Sequence, residues 1–343
     1  MRRQSNSSDV AKHAGVSRTT VSYVLSGAND VSISPATRER VLQAALELNY
    51  RSNRLANGLL RGKTQTIGVI VPYLGGDYHG NIVQGIQEYC RTTGYRILMA
   101  CSEGDSKIEA EESRLLLEHR VDGIICIASG GKEFEHGNWL EAYASEGIAC
   151  LAIELNMDSV DCVLSDDVQG IGALVDHVIS LGHRRIGFIM PPAHGIVPVR
   201  CQAYQKVLAD LNLPFDDSWI VPMTGVDNAG EFNDWERLAS LFLTEDAPTA
   251  WIGNNDYYAV GALNAARRLG ARRPMGIVFA GYGYTEIGKG ARITTVNQFP
   301  QEMGRVAAQR LIQRCDLRDL APETMSVHTE LVVRHSTAHA GFV

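Results

Sequence analysis

Arg18, Thr19, Ser22 and Tyr23 fall within six positions of one another, and at about 100° per residue they share one side of a helix whose other side carries Val21, Val24 and Leu25. Their chemistry is that of base reading. An arginine can donate two hydrogen bonds to guanine, threonine and serine hydroxyls can bond bases or phosphates, and a tyrosine can meet a base edge or a thymine methyl. Residue sets for catalysis are missing by comparison. The chain holds no G-x-G-x-x-G after its first apolar run, no phosphate-binding P-loop, no G-x-S-x-G and no H-E-x-x-H. Its ten histidines are dispersed, and its seven cysteines never form a C-x-x-C pair. The cysteine pattern excludes a disulfide scaffold and a zinc site and fits a reducing cytoplasm. No metal and no cofactor is expected, and no enzyme.

The elements that must present the polar set are short. Ser8 can cap a helix that starts at Asp9, with Val10, Ala11 and Ala14 as its apolar face, and Gly15 supplies a left-handed end. Ser17 can cap the second helix. Ser34 and Pro35 open a third, which runs through Val41, Leu42, Ala45, Leu46 and Leu48 to Asn49. Two short helices around a glycine-containing turn make a helix-turn-helix, whose second helix fits the major groove. The same pattern also suits a plain helical hairpin with a solvated polar face.

Charge separates the chain into unlike parts. Residues 1–63 hold ten Lys or Arg against four Asp or Glu, a net of +6, while residues 64–343 hold 22 against 35, a net of −13. A basic head favours a polyanionic partner, and an acidic remainder opposes non-specific wrapping by nucleic acid. At 343 residues, 45% hydrophobic and 21% charged, the chain should fold as two or three globular domains. No apolar run approaches the roughly 20 residues of a membrane span. Met1-Arg-Arg-Gln-Ser-Asn6 has no apolar stretch behind its arginines and is not expected to be a signal peptide, which places the protein in the cytoplasm.

From Thr66 onward, β-type runs at 67–72, 96–101, 123–127, 149–153, 186–190, 249–252 and 276–280 alternate with helix-like stretches at about 80–92, 107–119, 168–181, 200–211, 229–243, 256–270 and 300–314. Such alternation builds parallel sheets covered by helices, and about 280 residues is long enough for two. Ligands of these folds sit at the carboxyl ends of the strands. Gly281-Tyr-Gly283 reads as a turn.

In order along the chain, Asp9-Val-Ala-Lys-His-Ala-Gly-Val-Ser17, Thr20-Val-Ser22, Val24-Leu25, the run ending at Tyr50, Ile67-Gly-Val-Ile-Val-Pro72, Arg120-Val-Asp-Gly-Ile124, Gly182-His-Arg-Arg-Ile186, Asn255-Asp256 and Thr294-Thr-Val296 resemble the lactose-repressor (LacI/GalR) family. The resemblance covers nearly the whole chain. It implies an α/β protein: an all-α helix-turn-helix headpiece over 1–52, a hinge at 53–63, and a periplasmic-binding-protein-like type I body over 64–343. In that body an N-subdomain of about 64–160 plus 297–327 would join a C-subdomain of about 161–296 plus 328–343, with crossover strands near 154–165 and 281–300.

The resemblance also implies partners and sites. The partners are a near-palindromic double-stranded operator, a second copy of the chain, and a small molecule, most often a sugar in this family. DNA contacts would come from Ser8, Ser17, Arg18, Thr19, Thr20, Ser22 and Tyr23, and from Asn53, Arg54, Ala56 and Leu59 of the hinge. The hinge segment is too short to hold a helix alone, so it should order against its copy on DNA, with Leu59 wedged into the minor groove. Ser52 stands where the family usually has proline, and Tyr23 where it often has arginine. Effector contacts would come from Tyr73, Asp77, Tyr78 and His79 in the first strand–helix loop, and from Ser129, Glu154, Arg200, Asn255, Asp256, Tyr282 and Gln298. Aromatic rings at Tyr78 and His79 would stack on the ligand, Asp77 would accept hydroxyl bonds, and Arg200 would hold ligand oxygens. Asp256 suits helix capping equally well. Gly283 replaces an aspartate of sugar-binding relatives, and Glu154 could partly substitute. The alternatives are a regulator answering to a non-sugar ligand or a protein, and a solute-binding transport component, which the basic head opposes.

Overall fold

Asn6, not Ser8, caps the first helix, α1 (Ser7–Ala14), in the computed structural model, which describes residues 5–25, 31–50, 63–128, 138–192, 198–227, 229–270, 276–317 and 319–338. Asn6 Oδ1 accepts the Ser8 and Asp9 N–H groups at 2.8 and 3.1 Å, and Asp9 Oδ2 accepts the Asn6 N–H at 2.8 Å. This reciprocal box uses asparagine's longer side chain and leaves Ser8 exposed in the first turn. Gly15 ends α1 at φ 65°. Ser17 caps α2 (Arg18–Leu25) as expected: its Oγ accepts the Thr20 N–H at 3.0 Å and bonds Thr20 Oγ1 at 2.9 Å. Ser34 and Pro35 open α3 (Pro35–Glu47). Val10, Val21, Val24, Val41, Ala44 and Ala45 bury together, with Leu25, Leu48 and Tyr50 packed against them. Leu42 and Leu46, expected on that apolar side, point outward, because Val41, Ala44 and Ala45 take the inner face.

Two compact units divide the chain, Met1–Thr64 and Gln65–Val343. The larger unit holds two six-stranded sheets. Strands β1 (Thr66–Val71), β2 (Arg96–Cys101), β3 (Gly123–Ile127), β4 (Ala149–Ile153), β5 (Asp161–Ser165) and β11 (Thr324–Val327) form the first, in the order β11-β5-β4-β3-β1-β2. The second has the order β12-β10-β9-β8-β6-β7, from β6 (Ile186–Met190), β7 (Ile220–Pro222), β8 (Ala250–Gly253), β9 (Val278–Tyr282), β10 (Thr294–Asn297) and β12 (Glu330–Val332). All recorded pairings are parallel except β10 with β12. The fully buried strands β3, β4, β6 and β9 are the continuous apolar runs that a sheet covered on both faces requires.

The helices between the strands are α4 (Asp77–Thr93), α5 (Ser106–Glu118), α6 (Asn138–Ser145), α7 (Asp167–Ser180), α8 (Val199–Asp210), α9 (Trp235–Leu241), α10 (Asp256–Arg268), α11 (Glu286–Gly290) and α12 (Pro300–Asp316). Helix α12 returns from the second sheet to the first. Met303, Ala307, Ala308 and Leu311 bury there with Ile82, Ile86 and the strands. Gly85 and Gly304 let α4 and α12 meet backbone to backbone: a methyl on Gly85 runs into the Gln301 carbonyl, and one on Gly304 into that of Ile82.

Two expectations need correction. β5, assigned by the resemblance to the subdomain starting at 161, pairs with β4 and β11 in the first sheet, so the crossing follows Ser165. Asp161 fixes it there, fully buried between Arg310 and Arg314 of α12, with the Arg310 Nε at 3.0 Å. Gly281 and Tyr282 are not a turn but the end of β9; only Gly283, at φ 114°, leaves the strand. Gly281 pairs with Thr295 in the strand, and the Asp256 carboxylate lies where any Cβ at this position would collide.

Candidate functional site

In the headpiece, burial of Val21 and Val24 turns Arg18, Thr19, Ser22 and Tyr23 to solvent. This is the arrangement that the polar set needs for reading base edges, and Tyr23 is 38% exposed. Thr20 is half-buried and bonded to Ser17. Helix α3 is tied back to α1 where His13 Nε2 meets Glu47 Oε2 at 2.7 Å. The hinge residues Asn53, Arg54, Ala56 and Leu59 lie outside the described residues, as does Ser129 of the body.

Residues that follow the carboxyl ends of β1, β4, β5 and β8 meet one another and Tyr282 of β9 between the two sheets, the place where parallel sheets of this kind have their ligand crevice. Glu154 follows β4 with φ 60°, a left-handed backbone uncommon for glutamate. Its N–H bonds the Val163 carbonyl at 2.9 Å, which fixes the bend. Glu154 Oε1 accepts the Tyr78 hydroxyl at 2.7 Å and Gln298 Nε2 at 2.9 Å. Across the crevice, Arg200 of α8 reaches it with Nη2 at 3.5 Å, while its Nε bonds Asp167 Oδ1 at 3.3 Å and its Nη1 the Asn254 carbonyl at 3.2 Å. Ser165 Oγ bonds Asp167 Oδ1 at 2.9 Å, and Gln298 Nε2 donates to Ser165 Oγ at 3.0 Å. Beneath Arg200 lies the Tyr282 ring, 4.4 Å from the guanidinium carbon.

Electrostatics follow from burial and these partners. Burial works against the Arg200 charge, but Asp167 and Glu154 overcome it and raise its pKa. Burial, then Glu154, pushes the Tyr78 hydroxyl well above the ordinary tyrosine range. Tyr282 is raised by burial and by Asp167. Burial lowers His79, which favours its neutral form. The His79 ring sits 5.5 Å from that of Tyr78 and 6.4 Å from that of Tyr73.

The structure thus brings Tyr78, Glu154, Arg200 and Gln298 together, and moves other expected contacts to different tasks. Tyr282 is fully buried and supports Arg200 instead of facing a ligand. Asn255 spends its Oδ1 capping α10, on the Tyr257 and Tyr258 N–H groups at 3.0 and 3.3 Å. Asp256 neither caps nor lines the crevice. Its oxygens accept the Thr285 N–H at 2.7 Å, Thr285 Oγ1 at 2.9 Å and Thr295 Oγ1 at 2.6 Å, a buried knot joining α10, β10 and the start of α11. Burial raises its pKa against those hydrogen bonds. Asp77, expected to accept ligand hydroxyls, accepts the Glu286 N–H at 2.6 Å from the opposite subdomain. Tyr73 is half-exposed at the outer end of the loop, against Gly104.

Sequence reasoning missed Ser165, Asp167 and Asn254. The signal was present in Ser165-Asp166-Asp167, polar residues directly after an apolar strand and before a helix, where ligands of parallel sheets bind.

Among the described residues no group of His, Cys, Asp or Glu is placed to hold a metal, and no helix is long and apolar enough to cross a membrane. The periplasmic binding protein-like domain matches residues 175–337, and the family described as bacterial regulatory proteins, lacI family, matches residues 8–53. The transcriptional repressor PurR of Mannheimia succiniciproducens is 28% identical over 331 residues, 96% of this chain and 97% of that protein. A solved structure, the lac repressor dimer bound to operator and the anti-inducer ONPF, superposes with a TM-score of 0.83 at 24% identity over 98% of this chain and 100% of that one. The HTH-type transcriptional regulator DegA of Bacillus subtilis is 31% identical over 335 residues, 96% of this chain and 97% of that protein. With a regulator of that identity matched nearly end to end, and the family's headpiece on the residues that expose this polar face, the chain belongs to the lacI family of bacterial regulatory proteins.

Proposed function

We propose that this DNA-binding regulator is a cytoplasmic, homodimeric repressor without catalytic activity, which releases or grips a near-palindromic operator according to a small polyhydroxyl effector, of carbohydrate type, held in the crevice. The observation that carries the reading is Arg200, which spans from Asp167 in the second subdomain to Glu154 in the first. An effector that takes over either carboxylate, or the guanidinium, changes the free energy of closure, and a ligand shifts a two-state equilibrium only through such differential contacts. In this reading closure alters the spacing of paired headpieces, because β1 of the first subdomain follows the hinge segment in sequence. Seven free cysteines, six of them buried, agree with a reducing compartment. Burial pushes the Cys90 and Cys201 thiols up to about 11, out of the nucleophilic range.

The test is selection of duplexes from random DNA by the purified full chain. Enrichment of a two-fold symmetric site supports the reading, and absence of any preference over random competitor at moderate salt rejects it. Arg18→Ala is expected to relax base preference in each half-site and to cost about 1–3 kcal/mol there. Leu59→Ala is expected to remove bending at the site's centre while the body stays folded.

A further inference from the structure

We propose that the crevice selects an effector carrying a protonated amine beside its hydroxyl groups, an amino sugar or amino polyol, over its neutral and anionic counterparts. The inference rests on the crevice being the effector site, as proposed above.

Glu154 and Asp167 are two carboxylates in one partly buried space. Ser165 Oγ bonds both, at 3.5 and 2.9 Å, so they stand within two hydrogen-bond lengths of each other. A single guanidinium is shared between them, which leaves one negative charge in excess. Neutral His79 does not offset it. At the rim, Asp77 adds another carboxylate, and Lys289 is already paired with Glu286 at 2.5 Å.

Hydrogen-bonding capacity is unbalanced in the same sense. Among the described residues every side-chain hydrogen bond of Glu154 falls on Oε1, from Tyr78, Ser165, Arg200 and Gln298, and Oε2 is left as an acceptor. Asn254 Oδ1 is buried without a hydrogen-bond partner among the described residues, a cost that an incoming donor removes. Arg200, the strongest donor, is committed to Asp167, Asn254 and Glu154.

A carboxylate or phosphate entering here must strip Arg200 from its partners and then face two like charges at short range, where partial burial weakens screening. A neutral sugar supplies donors but leaves the charge unbalanced. A primary ammonium supplies three donors and the missing positive charge together.

Sorbitol, 1-amino-1-deoxysorbitol and gluconate differ only at their first carbon, as alcohol, ammonium and carboxylate, and separate these cases. Titration calorimetry of the full chain at neutral pH and moderate salt is expected to rank the amine at least about tenfold tighter than sorbitol, with gluconate weakest. Glu154→Gln and Asp167→Asn, each checked by its melting curve, are expected to bring the amine-to-sorbitol ratio toward one. The proposal is overturned if sorbitol or gluconate binds as tightly as the amine. It also falls if neither 1-amino-1-deoxysorbitol nor glucosamine binds, or if the ratio survives in both folded variants. Binding of sorbitol or gluconate as tight as that of the amine, with a change in affinity for the selected duplex, removes charge selection alone and leaves the regulator standing. Amine binding by a chain with no duplex preference supports charge selection and removes the regulator.

Discussion

The carboxylate of Asp77 and the backbone N–H of Glu286 meet at 2.6 Å, although 209 residues of sequence separate them. One comes from the first turn of α4 in the first subdomain. The other opens α11 in the second, where an acceptor is favoured by the helix dipole. The bond clasps the rim of the crevice. Asp77→Ala is therefore expected to widen the average opening between subdomains, with the two subdomains themselves intact. Small-angle scattering should show a larger radius of gyration for the variant, and an unchanged profile argues against a clasp.

Arg200→Ala should act on both stability and response. Removing one partner from this partly buried ionic network leaves carboxylates uncompensated, at a cost that approaches the roughly 3–5 kcal/mol typical of fully buried pairs. Urea unfolding of the body checks this loss. Arg200→Lys, which keeps the charge but not the planar fork, is expected to lose less stability yet still lose effector response. Equal responses of wild type and Arg200→Lys would show that the fork geometry is dispensable.

Contact of α4 with α12 leaves no room for a methyl at Gly85 or Gly304. Either alanine variant must push two helix backbones apart, and overpacking of this kind costs about 1–3 kcal/mol or more. The denaturation midpoint of the body should fall in each. Full stability in Gly304→Ala would mean that the helices shift freely.

Acid should weaken the body through its partly buried imidazoles. His79, His177 and His183 are all lowered from the ordinary histidine value of 6.5 by burial. The unfolded chain then binds protons more readily than the folded one, so the stability these groups contribute is present above 6.5 and is lost as pH falls through their folded values. His183 Nδ1 lies 2.9 Å from Thr249 Oγ1, and His177 Nε2 lies 2.8 Å from Thr337 Oγ1. The melting temperature is expected to drop between about pH 7.5 and about pH 5.5, less steeply in a His177→Gln, His183→Gln double variant. A melting temperature that rises with acid reverses the sign argued here.

Local rules recovered most of the frame. Capping at Ser17 and Ser34, the left-handed Gly15 and the apolar runs of β2, β3, β4 and β6 need only neighbours in sequence, and they stand where the residues put them. What sequence hid depends on distant partners. The three-residue β7 and β12 and the mostly exposed β11 carry no pattern of their own and exist because a sheet edge receives them. Asp256 looked like a helix cap or a ligand contact until Thr285 and Thr295 closed around it. Arg200 was legible as a crevice cation, whereas Asp167 became visible only when the fold placed it opposite.

Because α12 and β11 complete the first sheet, the first lobe depends on chain that is made after most of the second sheet. On the ribosome that lobe stays without its lid until residues 300–327 have emerged, by which time most of the second sheet is already outside. Its exposed apolar face must be shielded or kept soluble for that interval, and loss of residues 300–327 harms the first lobe more than the second.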